Sequence, residues 1–225
     1  MTFQVALVGT DGLVVGSDRR VTYVTNSPGG PSIQRLETFK FCRSDDDSII
    51  CAYAGGPSAL NIGREVASEG QQYVTASDTE WERGVLGIGD KMERQKVLIP
   101  RDEIIVVRPS IPAKFWLLGK PSAGPASMEA FETYLCTGSV STARFIIQEL
   151  WRPMPVRNLR TLAHLAISYA AKGNPTFIGG GIDILSITNG KPEWGKFPAE
   201  STQTDSFSNS LREAFEKIPP TVMGG

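Results

Sequence analysis

The chain has 225 residues, 40% of them hydrophobic and 21% charged, with a formal net charge of −1. That is enough for one domain, 1–225, with a large core, and it lacks the basic excess that binding to nucleic acid or an anionic membrane surface requires. No apolar run reaches the ~18 residues of a membrane span, and the N-terminus lacks a signal-peptide pattern, so a cytoplasmic location is expected.

The first stretch, Phe3 to Val8, alternates Phe3, Val5 and Leu7 with Gln4, Ala6 and Val8. This period-two pattern predicts a strand that is apolar enough to be buried on both faces. Thr10-Asp11-Gly12 is a turn signal, and Leu13 to Gly16 resumes the β-branched run, so the two segments predict a hairpin. Antiparallel pairing then returns Asp18 to the neighbourhood of Thr2. If Met1 is removed, Thr2 carries a hydroxyl and a free α-amine, which titrates near ~7.7–8.0 and can act as a base for that hydroxyl. Taken alone, the hairpin favours an ordinary edge hairpin with a solvated acidic end.

Val21 to Ser32, with its Asn26-Ser27-Pro28-Gly29-Gly30-Pro31 segment, predicts a loop, and Leu36 to Cys42 a third strand. Asp45-Asp46-Asp47 follows as an acidic turn, for which solvation is favoured over a metal site. A strand from Ile49 to Ala54 stops at Gly55-Gly56-Pro57, and a helix is expected over Ser58 to Ser68. Further helices are predicted over Thr79 to Lys91, Thr142 to Trp151 and Asn158 to Ala171. Strands are predicted over Glu103 to Val107, Lys114 to Leu118, Phe131 to Cys136, Thr176 to Thr188 and Pro192 to Lys196. A last helix spans Ser206 to Lys217, before a Gly-Gly tail at 224–225. Cys42, Cys51 and Cys136 are odd in number and widely spaced, which favours small core hydrophobes over a disulfide or metal site. His164, the only histidine, lies within a helix, where packing is the expected role. Periodicity alone supports a mixed α/β class.

Four segments in chain order carry a resemblance. They are Thr2 with the hairpin and its Asp18-Arg19-Arg20 end, Ala54-Gly55-Gly56 before a helix, Gly138-Ser139-Val140-Ser141 opening another, and Gly179-Gly180-Gly181-Ile182-Asp183. Together they resemble the proteasome β-subunit family of N-terminal nucleophile hydrolases, over about residues 2–188, and most of all its bacterial Anbu branch. The resemblance implies a four-layer αββα sandwich of two antiparallel sheets. It implies a threonine endopeptidase with Thr2 as nucleophile, Asp18 and a neighbouring cation as electrostatic support, the Gly55 N–H as oxyanion donor, and Ser139 with Ser141 orienting the amine. Val21 and Tyr53 would line the substrate pocket. No cofactor or metal is implied. The expected partners are a peptide or unfolded protein substrate and other copies of the chain in a ring or spiral; the sequence names no unfoldase.

Two departures from the family pattern stand out. At the family's lysine position the best match is Arg35-Leu36-Glu37-Thr38-Phe39, so Arg35 is expected to supply the cation; Lys40, if the strand alternates, falls on the opposite face. The stretch from Asn174 to Ile178 lacks the family's acid. Two readings follow, a threonine peptidase subunit, which is favoured, and a catalytically silent subunit that serves as a ring-assembling scaffold.

Overall fold

The computed structural model describes residues 2–198 apart from 29, 99, 101, 121–123, 139 and 140. The helix expected over Ser206 to Lys217 lies outside the described residues.

The N-terminal hairpin forms as its sequence predicts. Strand β1 (Gln4–Val8) pairs antiparallel with β2 (Gly12–Asp18), Gln4 opposite Ser17 and Val8 opposite Leu13. Gly12, at φ 157°, approaches Ile187 so closely that a Cβ there would lie 1.8 Å from its carbonyl oxygen, which explains glycine at this turn. This hairpin is the middle of a five-stranded sheet in the order β10-β1-β2-β11-β12, where β10 is Tyr134–Thr137, β11 Gly181–Thr188 and β12 Lys191–Pro198.

A second five-stranded sheet runs in sequence order: β5 (Phe41–Arg43), β6 (Ile50–Ala54), β7 (Glu103–Val107), β8 (Phe115–Gly119) and β9 (Ser127–Phe131). All strand pairs described are antiparallel. The described residues include four α-helices: α1 (Pro57–Glu69), α2 (Asp78–Arg94), α3 (Ser141–Leu150) and α4 (Val156–Gly173). Pro57 opens α1, where its missing N–H costs nothing. A full capping box of Ser77 and Glu80 starts α2, and that helix runs through Gly87 and Gly89, because burial of Trp81, Val85, Ile88 and Met92 outweighs their weak propensity.

The sheet faces divide the apolar residues into three clusters. Phe3, Val5 and Leu7 pack with Leu159, Leu162 and Ile167 of α4. The opposite face of the same strand, Ala6 and Val8, packs with Ile50, Ile105 and Phe115 of the second sheet. The far face of that sheet, with Cys51, Ile104 and Trp116, packs on Ile62, Val66 and Trp81 of α1 and α2. The apolar residues on the two faces of β1 therefore serve two different cores, as expected of a strand buried on both sides. Gln4 is the polar exception: fully buried, it donates from Nε2 to the Tyr53 carbonyl at 2.9 Å and so ties the first sheet to the second.

Several expectations are corrected. Val21 to Ser32 is not a loop: β3 (Arg20–Ser27) and β4 (Gly30–Glu37) form a two-stranded sheet of their own, with Ser27 opposite Gly30 at its end. The expected third strand, Leu36 to Cys42, is instead the end of β4, a break at Thr38 to Lys40, and the short β5. Phe131 to Cys136 straddles a turn between β9 and β10, which belong to different sheets. Strand β11 begins at Gly181, since the stretch from Asn174 to Ile178 closes on itself through bonds from the Phe177 and Ile178 N–H groups to the Asn174 carbonyl.

Candidate active site

Thr2 ends up buried because both neighbours in its sheet pass beside it. Phe3 is fully buried beneath it, and the chain after β10 turns at Gly138 directly against its carbonyl. Gly138 has φ 86°, and a Cβ on it would stand 2.0 Å from the Thr2 oxygen; only glycine fits both the turn and the approach. Thr2 is 8% exposed.

Asp18, at the end of β2, is fully buried and accepts four hydrogen bonds. Its Oδ1 takes the Phe3 N–H at 3.0 Å and the Lys40 ammonium at 3.0 Å. Its Oδ2 takes the Arg20 N–H at 3.0 Å and the Gly179 N–H at 3.3 Å. Lys40, 1% exposed, completes the constellation: Nζ also donates to Thr2 Oγ1 at 3.0 Å and to the Arg20 carbonyl at 2.7 Å. The three donors of the ammonium are thus all used, and it forms an ion pair with Asp18. Burial pushes the Asp18 carboxyl above the usual carboxylate range, against the pull of Lys40 and the N–H donors. Burial likewise brings the Lys40 ammonium below the ordinary lysine value, with Asp18 opposing. An ammonium in hydrogen-bond contact with a hydroxyl favours negative charge that develops on that oxygen.

The cation beside Thr2 is therefore Lys40, and Arg35 is not. Arg35 lies exposed on β4, opposite Thr22. The alternation argument failed because the strand is broken: β4 ends at Glu37, Thr38 N–H turns back to the Arg19 carbonyl, and a new strand register begins where Lys40 accepts the Tyr53 N–H. A signal was present in Lys40-Phe41-Cys42, a lysine opening an apolar strand.

The other expected residues are distributed as follows. Gly55 follows β6 at φ 141°, with the Asp102 carboxylate where a Cβ would be, so its conformation and its surroundings both require glycine. Ser139 lies outside the described residues; Ser141 begins α3. Val21 is half-buried on β3, opposite Leu36. Tyr53 is buried, and its hydroxyl donates to the Phe39 carbonyl at 3.1 Å, so it buttresses the segment that carries Lys40. Asp46 of the acidic turn is engaged by Ser44, Ser48 and Gln71, and Asp47 pairs with Arg43. All three cysteines are buried free thiols, and His164 stacks edge-on against Phe197.

Two further residues were not anticipated. Along the acid-free stretch from Asn174 to Ile178, the Arg20 guanidinium reaches the Pro175 and Ile178 carbonyls and holds the chain leading to Gly179. Glu103, half-buried on β7, has its carboxyl raised by burial and is hydrogen-bonded by the Gly138 N–H, a carboxylate next to the turn that packs on Thr2.

With its two antiparallel sheets packed face to face, the chain has the fold of the solved Anbu (ancestral β-subunit) structures. It superposes on the Anbu (Gly-1) mutant from Hyphomicrobium sp. strain MC1 with a TM-score of 0.69 and 16% identity, over 97% of this chain and 98% of that one. It also superposes on Anbu from Yersinia bercovieri with a TM-score of 0.66 and 13% identity, over 96% of this chain and 97% of that one. At such identities the likeness is one of fold. No protein-family model matches the chain, and no curated protein matches it by sequence.

Proposed function

We propose that the chain is an N-terminal-nucleophile threonine peptidase, built as a four-layer αββα sandwich and acting as a subunit of a homo-oligomer. The observation that carries this reading is the line Thr2 Oγ1, Lys40 Nζ, Asp18 Oδ1, with both contacts at 3.0 Å and all three residues buried. A buried lysine–aspartate pair is expensive to desolvate, so its direct contact with a hydroxyl near the N-terminus is most simply a device for activating that hydroxyl.

Removal of Met1 frees the Thr2 amine. The Thr2 oxygen attacks a peptide carbonyl, its proton passing to the amine, while the Lys40 charge favours the alkoxide character that develops and Asp18 holds the lysine in place. The oxyanion is met by the Gly55 N–H. Collapse breaks the C–N bond, the leaving amine takes up the proton, and an ester remains on Thr2. Water, deprotonated by the freed Thr2 amine, attacks the ester; its C–O bond breaks, the acyl group leaves as the carboxylic acid, and the proton returns to the Thr2 oxygen to restore the hydroxyl. Ser139 and Ser141 orient the amine, with Glu103 fixing the Gly138 turn. Val21 and Tyr53 belong to the wall of the substrate site, Tyr53 from beneath.

The test is hydrolysis of fluorogenic peptides by protein lacking Met1. Thr2→Ala is expected to abolish turnover and Thr2→Ser to retain part of it. Equal turnover by Thr2→Ala refutes the mechanism, and no turnover by Met1-free protein assigns the chain to the silent, ring-assembling reading.

A further inference from the structure

The β3–β4 hairpin is out of keeping with the rest of the surface. Five of the six large hydrophobic residues most exposed among those described belong to it or adjoin it: Tyr23 (44%), Val24 (52%), Ile33 (50%), Leu36 (57%) and Phe39 (41%). The register shows that they occupy both faces. Val21 and Tyr23 stand with Leu36 and Gln34 on one face, and Val24 is paired with Ile33 on the other. Charge is depleted as well. From Val21 to Leu36 the only charged residue is Arg35, where the chain-wide 21% would give about three. Depletion of charge around aromatic and aliphatic residues marks the core of a protein interface. Among the described strands, β3 and β4 pair only with each other, so two long edges stand open without the lysines or bulges that usually protect them. A two-stranded ribbon in that condition is marginal alone in water.

We infer that this hairpin is an oligomerisation arm that inserts into a second copy of the same chain. The occupant has to cover two opposite apolar faces, which excludes a small molecule and a peptide lying along one edge. Eight residues per strand give a ribbon about 27 Å long and about 10 Å wide, or roughly 270 Å² a face. Covering both faces, with an equal area from the receiving chain, buries about 1,100 Å², close to the ~1,200 Å² at which specific interfaces begin. Because every copy carries the same apolar arm, its cover has to be available in equal amount, a condition that a second copy meets by itself and that closed homo-oligomers commonly satisfy.

The arm also reaches the candidate site. At its base the Arg20 N–H binds Asp18, the Arg20 carbonyl receives Lys40, and the Thr22 hydroxyl donates to the Thr176 carbonyl at 2.8 Å. Clamping the arm therefore fixes the backbone that holds the Lys40–Asp18 pair, so assembly orders the site. The inference rests on the homo-oligomer part of the proposed function and not on its chemistry.

The experiment is native mass spectrometry and light scattering of the full chain beside the Val24→Asp/Ile33→Asp variant, with hydrogen exchange of the 21–36 segment at several protein concentrations. Both substituted residues are exposed, so the variant is expected to keep the wild-type circular dichroism and melting. The wild type is expected to be oligomeric, with segment 21–36 gaining protection in step with assembly, and the variant to be monomeric with that segment unprotected. An oligomer that persists in the variant overturns the arm while leaving the homo-oligomer standing. A wild type that is monomeric at tens of micromolar overturns both. If the folded core is lost in the variant, the exchange series on the wild type decides: protection independent of concentration refutes the inference.

Discussion

Replacing Lys40 by methionine isolates what the buried cation does. Methionine keeps the length and much of the packing of the lysine stem, and removes the three donors now spent on Thr2 Oγ1, Asp18 Oδ1 and the Arg20 carbonyl. Asp18 stays fully buried with three N–H donors and no counter-charge. Breaking a buried pair from one side costs about 3–5 kcal/mol, and the surviving N–H bonds place this case near about 3. Arg35→Met, on an exposed strand, should stay within about 0.5 kcal/mol of wild type. The pH dependence has a definite sign. Without Lys40 the Asp18 carboxyl, already raised above 3.8, rises further. A group whose folded value is raised contributes stability below its unfolded value and loses it as pH rises through the folded one. The Lys40→Met penalty should therefore be smallest in mild acid and grow toward neutral pH. Denaturant unfolding of both variants at pH 5 and pH 8 reads this directly. Equal costs for the two variants, or a Lys40→Met cost under about 1 kcal/mol at pH 8, would refute the assignment of Lys40 to the buried pair.

Other perturbations test neighbouring parts of the account. Gly138→Ala forces a Cβ against the Thr2 carbonyl at φ 86° and should cost at least about 1–3 kcal/mol of stability by denaturant unfolding. Burial pushes the Cys42 thiol up to about 11 and Cys136 up to about 12, with Cys51 also raised, so iodoacetamide at pH 8 should leave all three unmodified until the chain is unfolded, as peptide mass mapping will show. The rate of peptide hydrolysis should rise with pH as the base at Thr2 loses its proton. Glu103→Gln should shift that acid limb and lower kcat while leaving KM within about twofold, a split that a general loss of folding would not produce.

The parts of the fold that were legible in the sequence are those where one physical signal dominated. The Phe3–Val8 alternation, the Asp-Gly turn, the Gly55-Gly56-Pro57 stop and the four helical stripes all gave elements close to those observed. Thr2 and Asp18 were readable because a hairpin of fixed register must bring its two ends together, and Phe3 and Asp18 are joined by a hydrogen bond. The β3–β4 hairpin was missed because Pro28-Gly29-Gly30-Pro31 dominates its composition, although the β-branched Val21-Thr22, Val24-Thr25 and Ile33 on either side are ordinary strand residues. That single error carried the next one with it. Treating 21–32 as a loop made the following strand start too early, at Leu36; the family match then placed Arg35 at the lysine position, and the assumed alternation put Lys40 on the opposite face. Tertiary bonds decide the matter: the Thr38 N–H to Arg19 and the Tyr53 N–H to Lys40 reset the register, and no local propensity encodes either. The Glu103–Gly138 contact was equally invisible, since it joins β7 of one sheet to the turn that follows β10 of the other.

The central claim is that Thr2, once N-terminal, is the nucleophile, and a peptide epoxyketone tests it most directly. Its ketone and epoxide form a ring only with a hydroxyl and a free amine on the same residue. Intact mass should show protein lacking Met1 gaining the mass of one whole probe, with fragmentation locating the adduct on Thr2 and no adduct on Thr2→Ala. Retention of Met1 in protein from its native host, or an adduct on Thr2→Ala equal to that on the wild type, would contradict it.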